Sequence, residues 1–330
     1  TSMNVHCFYH RADLDGHCSG AIVRHWCGEW DHTFTPHGVN YGDNVDWLGG
    51  AGPDALAVIC DFTPEGPGAP DILLAMQCAY GKGLVWIDHH KTALEAVGDA
   101  GKAFDGQRDS GTAACVLTWL HFMNHQRTPI AVGWLGRYDV FDRSEHEQWE
   151  KVILPFQYGM KLYRTNPDGT DEPGLWDRLL CAPETRHVSG PLRIVEKGET
   201  CLAFERANNA RTAKSAAYDC TFEGLLCCAA NARGNSLVLD AAKRPEHKML
   251  VLWYFSGGKW IFRLFENGHD DVDCGEIAKR YGGGGHKGAA GFERPATAVG
   301  SPLVLLTPPK LAELWQPKNA ACTALEGAAK

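Results

Sequence analysis

The chain has 330 residues, 44% of them hydrophobic and 22% charged, with a formal net charge of -8 and a pI near 6.0. This length predicts about two domains with cores of ordinary size, and the acidic balance argues against an extended grip on long duplex nucleic acid, which needs a broad basic surface. No apolar run approaches the roughly 20 residues needed to cross a bilayer, and no apolar stretch precedes a cleavage site near the N-terminus, so we expect no membrane partner and a cytoplasmic location.

The N-terminal half contains short apolar runs of strand length, and each leads into acids or histidines. Residues 3–9 run into Asp13–Leu14–Asp15–Gly16, residues 55–60 stop at Asp61, and residues 83–87 stop at Asp88–His89–His90. A helix that opens over 19–23 and the helix-length segment 69–80 separate these runs, which is typical of parallel strands buried between helices. Ligands of such sheets bind outside the carboxyl ends of the strands, so these polar residues are predicted to line a site.

The rest of the chain predicts a second, smaller domain. A helix is predicted over 112–123, residues 130–138 lead into Asp139, and a Pro/Gly/Asp-rich loop follows at 166–174. Strand-like stretches occur at 224–230, 249–255 and 260–265, and a helix at 274–281 runs into a glycine run. We therefore predict an α/β catalytic domain (3–190) with a parallel sheet flanked by helices, a linker helix (191–214), a smaller α/β domain (215–316) across a cleft, and a tail (317–330). Thr1 and Ser2, before Met3, are interpreted as an expression remnant.

Thirteen cysteines are scattered along the chain. Only Cys227 and Cys228 adjoin, and no C-x-x-C pair exists, so a structural zinc site is not indicated. Most of the others lie in apolar contexts, as Cys60 and Cys115 do, where a thiol behaves as a small hydrophobic side chain.

Carboxylates and imidazoles gather at the ends of the apolar runs: His10, Asp13, Asp15, Asp61, Asp88, His89, His90 and Asp139. Together such groups bind divalent ions of the manganese class, and a bridging carboxylate holds two ions about 3.5–4 Å apart. The aspartates taken singly also suit turns and helix caps. Adjacent histidines after an apolar strand have no packing advantage, so the combined pattern favours a two-metal site for manganese or magnesium.

The glycine run Gly282–Gly285, followed by His286, has a different chemistry. Glycines let backbone N–H groups approach an anion closely, and the histidine adds a donor. A flexible loop has the same composition. Next to a two-metal site, the run is interpreted as a cradle for a phosphate or a ribose.

These residues resemble the motifs of the DHH phosphoesterase family, in particular its nanoRNase-like and RecJ-like members. Asp13–Leu14–Asp15–Gly16 resembles the first motif, Asp61 the second, Asp88–His89–His90 the third and Asp139 the fourth. The stretch 271–292 is similar to the family's associated substrate-binding domain. The resemblance covers about residues 4–295.

The resemblance implies roles for individual residues. The implied ligands of two manganese ions are His10, Asp13, Asp15, Asp61, His89 and Asp139, with Asp61 bridging and Asp142 as the alternative to Asp139. His90 is expected to contact the scissile phosphate, and Asp88 to orient a neighbour. The expected substrate-binding residues are Arg263, Gly283, Gly284, Gly285 and His286 in the second domain, and Arg108 and Ser110 in the first. A solvated helix start is the alternative for Arg108 and Ser110.

The resemblance also implies an activity. We expect a manganese-dependent phosphodiesterase or exonuclease, with magnesium as the other candidate ion, that hydrolyses short single-stranded oligonucleotides or small nucleotides to mononucleotides through a hydroxide that two metals activate. Cyclic dinucleotides and 3'-phosphoadenosine phosphate are the alternative substrates, and polyphosphate is disfavoured. A catalytically silent nucleotide-binding protein is the alternative outside enzymes. The choice between linear and cyclic substrates, the polarity of digestion and a homodimer stay open.

Overall fold

A computed structural model describes residues 2–66, 68–123, 126–181, 189–296 and 302–306. The chain divides into two compact units, Thr1–Phe204 and Glu205–Lys330, and this division falls inside one long helix. The predicted tail at 317–330 lies outside the described residues. Within the described ranges, every helix is too short or too polar to span a membrane.

The first unit is built on a four-stranded parallel sheet, as the apolar runs predict. Its strands are β1 (Asn4–His10), β2 (Thr33–Val39), β3 (Ala55–Cys60) and β4 (Leu84–Ile87), in the order β2-β1-β3-β4. The carboxyl ends are in register, because His10 pairs with Val39, Tyr9 with Cys60, and Cys60 with Ile87. The residues that follow the strands therefore start from one edge of the sheet.

Helices cover both faces of this sheet. The first unit contains α1 (Leu14–Glu29), α2 (Ala69–Ala79), α3 (Lys91–Val97), a 3-10 turn (Gly98–Ala103), α4 (Ala114–Phe122), α5 (Ile130–Asp139), α6 (His146–Gln148), a π turn (Trp149–Ile153), α7 (Leu154–Met160) and α8 (Leu175–Leu180). Helices α1 and α4 contribute Val23 and Leu117 to the core on one face, and α2 and α3 contribute Leu73 and Val97 to the core on the other. The predicted layered α/β architecture of this unit is confirmed.

The second unit has a six-stranded mixed sheet. Helix α9 (Ser189–Ala216) leads into β5 (Ala217–Phe222), β6 (Leu225–Asn231), a 3-10 turn (Ser236–Leu239), β7 (Met249–Ser256), β8 (Lys259–Glu266), α10 (Cys274–Arg280), β9 (Gly284–Gly285), β10 (Ala289–Pro295) and α11 (Pro302–Leu305). The strand order is β5-β6-β7-β8-β10-β9, and every pairing is antiparallel except that of β6 with β7. Helix α10 packs through Ile277 and Ala278 on one face.

The structure differs from the sequence expectations at several elements. Helix α1 begins at Leu14, earlier than predicted, because the Asp13 carboxylate accepts a hydrogen bond from the Gly16 amide at 3.0 Å and caps it. Strand β2 was not predicted, since Pro36 and the polar residues around it break the apolar pattern; proline is tolerated there because β2 is an edge strand. Strands β5, β9 and β10 were also not predicted.

The cysteines follow the prediction for small apolar side chains. Of the twelve that the structure describes, nine are buried: Cys7, Cys18, Cys27, Cys60, Cys115, Cys220, Cys227, Cys228 and Cys274. Several line the sheet cores, and burial raises the pKa of the Cys27 thiol to about 12.

Candidate metal centre

The carboxyl edge of the parallel sheet collects the acids and histidines of the first unit. His10 is the last residue of β1, Asp61 follows β3, and Asp88–His89–His90 follows β4. Asp13 and Asp15 lie at the start of α1, and Asp139 is the last residue of α5. Parallel strands that end in register therefore bring distant parts of the chain to one place, as the sequence predicts.

Asp61 is the centre of this cluster. Its residue is 1% exposed, with Oδ1 3.2 Å from His89 Nε2 and Oδ2 3.5 Å from His10 Nδ1. Within the described part of the chain, neither Asp61 oxygen accepts a hydrogen bond of ordinary geometry. Burial first, and then the negative charges of Asp15 and Asp13, raise the pKa of Asp61 well above its usual value.

The backbone at Asp61 is also unusual. Its φ is +57°, in the left-handed region that residues other than glycine seldom adopt. Its amide donates to the Ile87 carbonyl at 2.9 Å, which ties the residue to the end of β4. Strained backbone of this kind is concentrated at functional sites.

One group of potential ligands lies on the His10 side of Asp61. His10 Nδ1 is 2.9 Å from Asp13 Oδ2, and His10 Nε2 is 3.2 Å from Asn40 Oδ1. Burial lowers the pKa of His10, but Asp13 and Asp61 outweigh it and raise that pKa to about 11. His10 also holds the pKa of Asp13 down, at about 2, against the effect of burial. One potential ligand atom from each of His10, Asp13 and Asp61 lies within 4.8 Å of the others.

A second group lies on the other side of Asp61. His89 Nε2 is 3.6 Å from Asp15 Oδ2 and 3.3 Å from Asp139 Oδ2. Potential ligand atoms of Asp15, Asp61 and His89 also lie within 4.8 Å of one another, so the two groups share Asp61. Burial, and next Asp15 and Asp61, raise the pKa of Asp139 well above its usual value.

Asp15 is fixed by the helix that packs beside it. Its Oδ2 accepts from the Ala114 amide and its Oδ1 from the Cys115 amide, both at 2.8 Å. These are the first two amides of α4, where the helix leaves its N–H groups without internal partners. The carboxylate of one helix therefore caps another and is held at the sheet edge.

Asp139 and Asp142, the two alternatives for the fourth motif, differ in their contacts. Asp139 Oδ2 faces His89, whereas Asp142 Oδ2 accepts from Arg137 Nε at 2.9 Å and Asp142 Oδ1 accepts from the Ser144 amide at 3.0 Å. Asp142 thus stabilises the turn after α5. The structure brings Asp139 to the cluster, not Asp142.

Asp88 holds His90 through a buried network. Asp88 Oδ1 accepts from the His90 ring at Nδ1 (2.7 Å) and from the His89 amide (2.7 Å). Its other oxygen accepts from the Thr63 hydroxyl at 2.5 Å, and that hydroxyl accepts from Trp86 Nε1 at 3.1 Å. Burial alone would raise the pKa of Asp88, but the bond from His90 keeps it lowered. All of these bonds fit a carboxylate that orients its neighbour.

Sequence reasoning missed Thr63 and Asn40. Thr63 comes two residues after Asp61 and stands in a turn-like Phe–Thr–Pro context, which hides its contact with Asp88. Asn40 directly follows β2, which was not predicted because its residues are largely polar. Its position at a strand end is the signal that could have revealed it, since polar edge strands end at the same sheet edge as apolar ones.

The other predicted residue of the first unit, Arg108, serves the backbone around it. Its NH1 donates to the Trp86 carbonyl at 2.7 Å and its NH2 to the Phe104 carbonyl at 3.0 Å. Ser110 is exposed in the following turn. These contacts account for Arg108 without a ligand, so its substrate role stays a prediction that they do not support.

In the second unit, Arg263 and part of the glycine run share one row of the sheet. Exposed Arg263 on β8 pairs with Gly291 on β10, which pairs in turn with Gly284 on β9. A Cβ on Gly283 would lie 2.1 Å from the Gly291 carbonyl oxygen, while a Cβ on Gly284 would meet nothing within 4 Å.

The other members of the run are placed by the turn that follows. A Cβ on Gly285 would lie 2.6 Å from Ala290 Cα, and the exposed His286 lies in the turn that leads to β10. Close approach of the backbone therefore explains why Gly283 and Gly285 are glycines. At Gly284 there is space for a side chain, so packing does not require a glycine there.

The chemistry of the cluster fits divalent cations. Its potential ligand atoms are carboxylate oxygens and imidazole nitrogens with no thiol among them, which suits manganese and magnesium. The buried Asp61 oxygens lack hydrogen bonds, and the pKa values of Asp61 and Asp139 are raised because the carboxylates are buried and repel one another. A bound cation would relieve that repulsion and release protons.

Comparison with known proteins gives structural neighbours only. No family model and no curated protein matches the chain. Among solved structures, it is similar to a pGpG-specific phosphodiesterase, PggH, from Vibrio cholerae, with 14% identity, 89% of this chain and 94% of that chain covered, and a TM-score of 0.46. An exopolyphosphatase-related protein from Bacteroides fragilis has 13% identity, coverage of 88% and 86%, and a TM-score of 0.46. RecJ from Thermus thermophilus in complex with Mn2+ has 16% identity, coverage of 90% and 50%, and a TM-score of 0.45.

Proposed function

We propose that this chain is a metal-dependent phosphoesterase, a phosphodiesterase or exonuclease that hydrolyses short oligonucleotides or small nucleotides to mononucleotides. The observation that carries the proposal is the pair of ligand groups that share the buried carboxylate of Asp61. A shared carboxylate is how two-metal hydrolases hold their ions together. The motif resemblance to DHH phosphoesterases supports the same activity.

We assign two cations, Mn2+ or Mg2+, to the cluster. His10, Asp13 and Asp61 would hold one, and Asp15, Asp61, His89 and Asp139 the other. Bound there, the ions would supply a strong nucleophile from water at neutral pH and stabilise the charge that develops on the phosphoryl oxygens.

The chain's own residues supply orientation and hydrogen bonds. Asp88 orients His90 by accepting a hydrogen bond from Nδ1 of its ring. We therefore assign the other ring nitrogen, Nε2, to the scissile phosphate. Asn40 accepts from His10 Nε2, so Nδ1 is the ring atom that faces Asp13 and Asp61. In the second unit, Arg263 is suited to a phosphate because its guanidinium is exposed and can bind two oxygens at once. We assign Gly284 and His286 to the same substrate.

A substrate panel with chosen cations tests the proposal. Linear di- to pentanucleotides, cyclic dinucleotides and 3'-phosphoadenosine phosphate are incubated with Mn2+, with Mg2+ or with a chelator, and the products are separated. We expect short linear substrates to give mononucleotides with Mn2+ and nothing with the chelator. If a cyclic dinucleotide is hydrolysed faster than the linear substrates, cyclic dinucleotides are the preferred substrate class. Nucleotide binding without turnover of any substrate would support the silent-binder alternative.

A variant pair makes the test specific to the cluster. Asp61→Asn removes the shared charged carboxylate and is expected to lower kcat/KM by at least about 100-fold, because metal sites depend strongly even on groups around the ligands. Asp99→Asn is the matched control, since that carboxylate is exposed and forms an exposed ion pair with Lys102. Parental turnover by the Asp61→Asn protein would reject the two-metal assignment.

A further inference from the structure

Phe141 is an exposed aromatic residue in a conformation that bulky side chains rarely adopt. It is 43% exposed, and its φ is +55°. Glycine or asparagine tolerates this left-handed conformation more readily than phenylalanine does. Neither burial nor the ease of making the turn therefore explains a phenylalanine at this position.

The turn around Phe141 is fixed by bonds that do not use its ring. The Phe141 amide donates to the Tyr138 carbonyl at 3.2 Å, and the Asp142 amide donates to the Arg137 carbonyl at 2.9 Å. The Asp142 carboxylate accepts from Arg137 and from the Ser144 amide. The backbone would keep its course without the phenyl ring, which leaves the ring to be explained by what it contacts.

The ring belongs to a small aromatic group with a guanidinium over it. The ring centroids of Phe141 and Trp149 are 6.1 Å apart, and Trp149 is buried. The exposed Arg143 places its Cζ 5.2 Å from the Phe141 ring centroid and 5.0 Å from that of Trp149. Nucleobases stack on aromatic rings and on guanidinium planes. The buried Trp149 indole contacts both the Phe141 ring and the Arg143 guanidinium.

The surface lies within reach of the candidate metal centre. Phe141 is two positions after Asp139 in the chain, so their Cα atoms are at most about 7 Å apart. Asp139 Oδ2 is 3.3 Å from His89 Nε2 in the cluster. In a nucleotide a single sugar joins the base to the phosphate, so a base whose phosphate lies at the cluster is within reach of Phe141.

We propose that Phe141 and Arg143 form a stacking surface for the nucleobase next to the scissile phosphate. This inference rests on the proposed function and narrows it, because it selects substrates that carry a base over polyphosphates. Stacking uses the flat face that every base has, so the surface would not select a base sequence.

A fluorescence titration tests the surface without turnover. The probe is 2-aminopurine riboside 5'-monophosphate, whose emission falls when its base stacks. We expect quenching by the parent chain, with Mn2+ present, and an increase of about tenfold in Kd for Phe141→Ala, the loss typical of one stacked base. Phe141→Tyr keeps the aromatic face and should bind like the parent. Ribose 5-phosphate, measured as a competitor, should bind the parent and Phe141→Ala alike.

A matched control separates stacking from a general effect of removing an exposed aromatic residue. Trp30 is 60% exposed at the end of α1, about 22 Å along the helix from Asp15 at 1.5 Å per residue. Trp30→Ala should leave probe binding unchanged. Equal losses in Trp30→Ala and Phe141→Ala would overturn the stacking surface. A parental Kd in Phe141→Ala with an unchanged melting temperature would do the same.

Kinetics on base-deleted substrates complete the test. A dinucleotide and its two analogues, each lacking one base, are compared with Mn2+. Phe141→Ala should raise KM about tenfold for the intact dinucleotide and leave it unchanged for the analogue that lacks the stacked base. Equal rises for all three substrates would mean that Phe141 does not act through the base, and would overturn the inference. If the parent hydrolyses none of them, the proposed function fails, while the titration still decides whether the surface binds a base.

Discussion

Single residues at the sheet edge divide into those that a pattern can identify and those that only packing reveals. Asp61, His89 and Asp139 were predicted because carboxylates and imidazoles are metal ligands and stand at strand or helix ends. Thr63 and Asn40 are residue types that are common in turns. Their contacts, with Asp88 and with His10, join residues that are 25 and 30 positions apart in the sequence. No local pattern reports a contact of that length, so these contacts are found only in the folded chain, although the position of Asn40 after a strand could have marked it as a candidate.

Thr63 is the residue whose support of the site is easiest to test. Thr63→Val keeps the shape of the side chain but removes the hydroxyl that joins Trp86 to Asp88. Unpaired buried polar groups then destabilise the fold by about 1–3 kcal/mol, and looser control of Asp88 over His90 should lower kcat about 10–100-fold. Urea unfolding and steady-state kinetics measure the two effects.

Thr63→Ser is the companion variant, since it restores the hydroxyl and should recover most of kcat. A destabilised Thr63→Val protein with the parental kcat would restrict Thr63 to a structural role.

At the scale of elements, the sequence predicts the apolar strands, but it does not predict the strands that contain proline or glycine. Strands β1, β3 and β4 lie between two helical layers, so both faces are largely buried. The apolar signal is uninterrupted in β3 and β4, and Asn4 and His6 interrupt it in β1. Edge strand β2 and the short strand β9 lack that signal because proline and glycine replace the usual strand residues. Their pairing comes from tertiary contacts rather than from local preference.

Because β9 pairs closely with β10, we expect alanine substitutions at two adjacent glycines to differ in their effect on stability. In Gly283→Ala the new methyl group would lie 2.1 Å from the Gly291 carbonyl oxygen, so we expect destabilisation by about 1–3 kcal/mol. In Gly284→Ala it would meet nothing within 4 Å, so we expect a change within about 0.5 kcal/mol. Chemical denaturation of both proteins decides, and equal stability of the two would contradict the close approach of β9 to β10.

Helix α1 is tied to the loop before α8 by a paired interaction with a defined pH dependence. Arg24 NH1 and NH2 donate to Asp171 Oδ1 and Oδ2 at 2.9 and 2.7 Å, and the Asp171 side chain is 9% exposed. Arg24 lowers the pKa of Asp171 below its usual 3.8. A lowered carboxyl pKa stabilises the fold above the usual value, and this contribution is lost as the pH falls through the lowered one.

Arg24→Leu should therefore lower stability by about 1–2 kcal/mol at pH 7. The difference from the parent should shrink below about pH 4. Thermal melts over a pH series give the comparison, with Lys91→Leu as control because Lys91 is exposed and its ion pair with Glu95 is exposed too. A difference that stays constant down to about pH 3 would mean that Arg24 acts through packing alone.

At the scale of the whole molecule, metal binding and folding should be coupled through the crowded carboxylates. A cation at 100 times its Kd stabilises a folded protein by about 2.7 kcal/mol, which for a unit of this size is a rise of about 5–10 °C in melting temperature. We expect that rise when Mn2+ is added to the chelator-treated parent and to Asp99→Asn.

Asp61→Asn should show little of this rise. With chelator present it should melt at or above the parent, because the repulsion of its carboxylate by Asp15 and Asp13 is gone. Calorimetric melts measure both states. A full Mn2+ shift in Asp61→Asn would contradict the shared-ligand arrangement.

The buried cysteine thiols can serve as native probes of local unfolding. Nine of the twelve described cysteines are inaccessible in the native chain, and they are spread over the cores of both units, from Cys7 to Cys274. A thiol-labelling reagent can modify each one only when its surroundings open, so the order in which these sulfurs react would map the sequence of local unfolding events without any engineered probe.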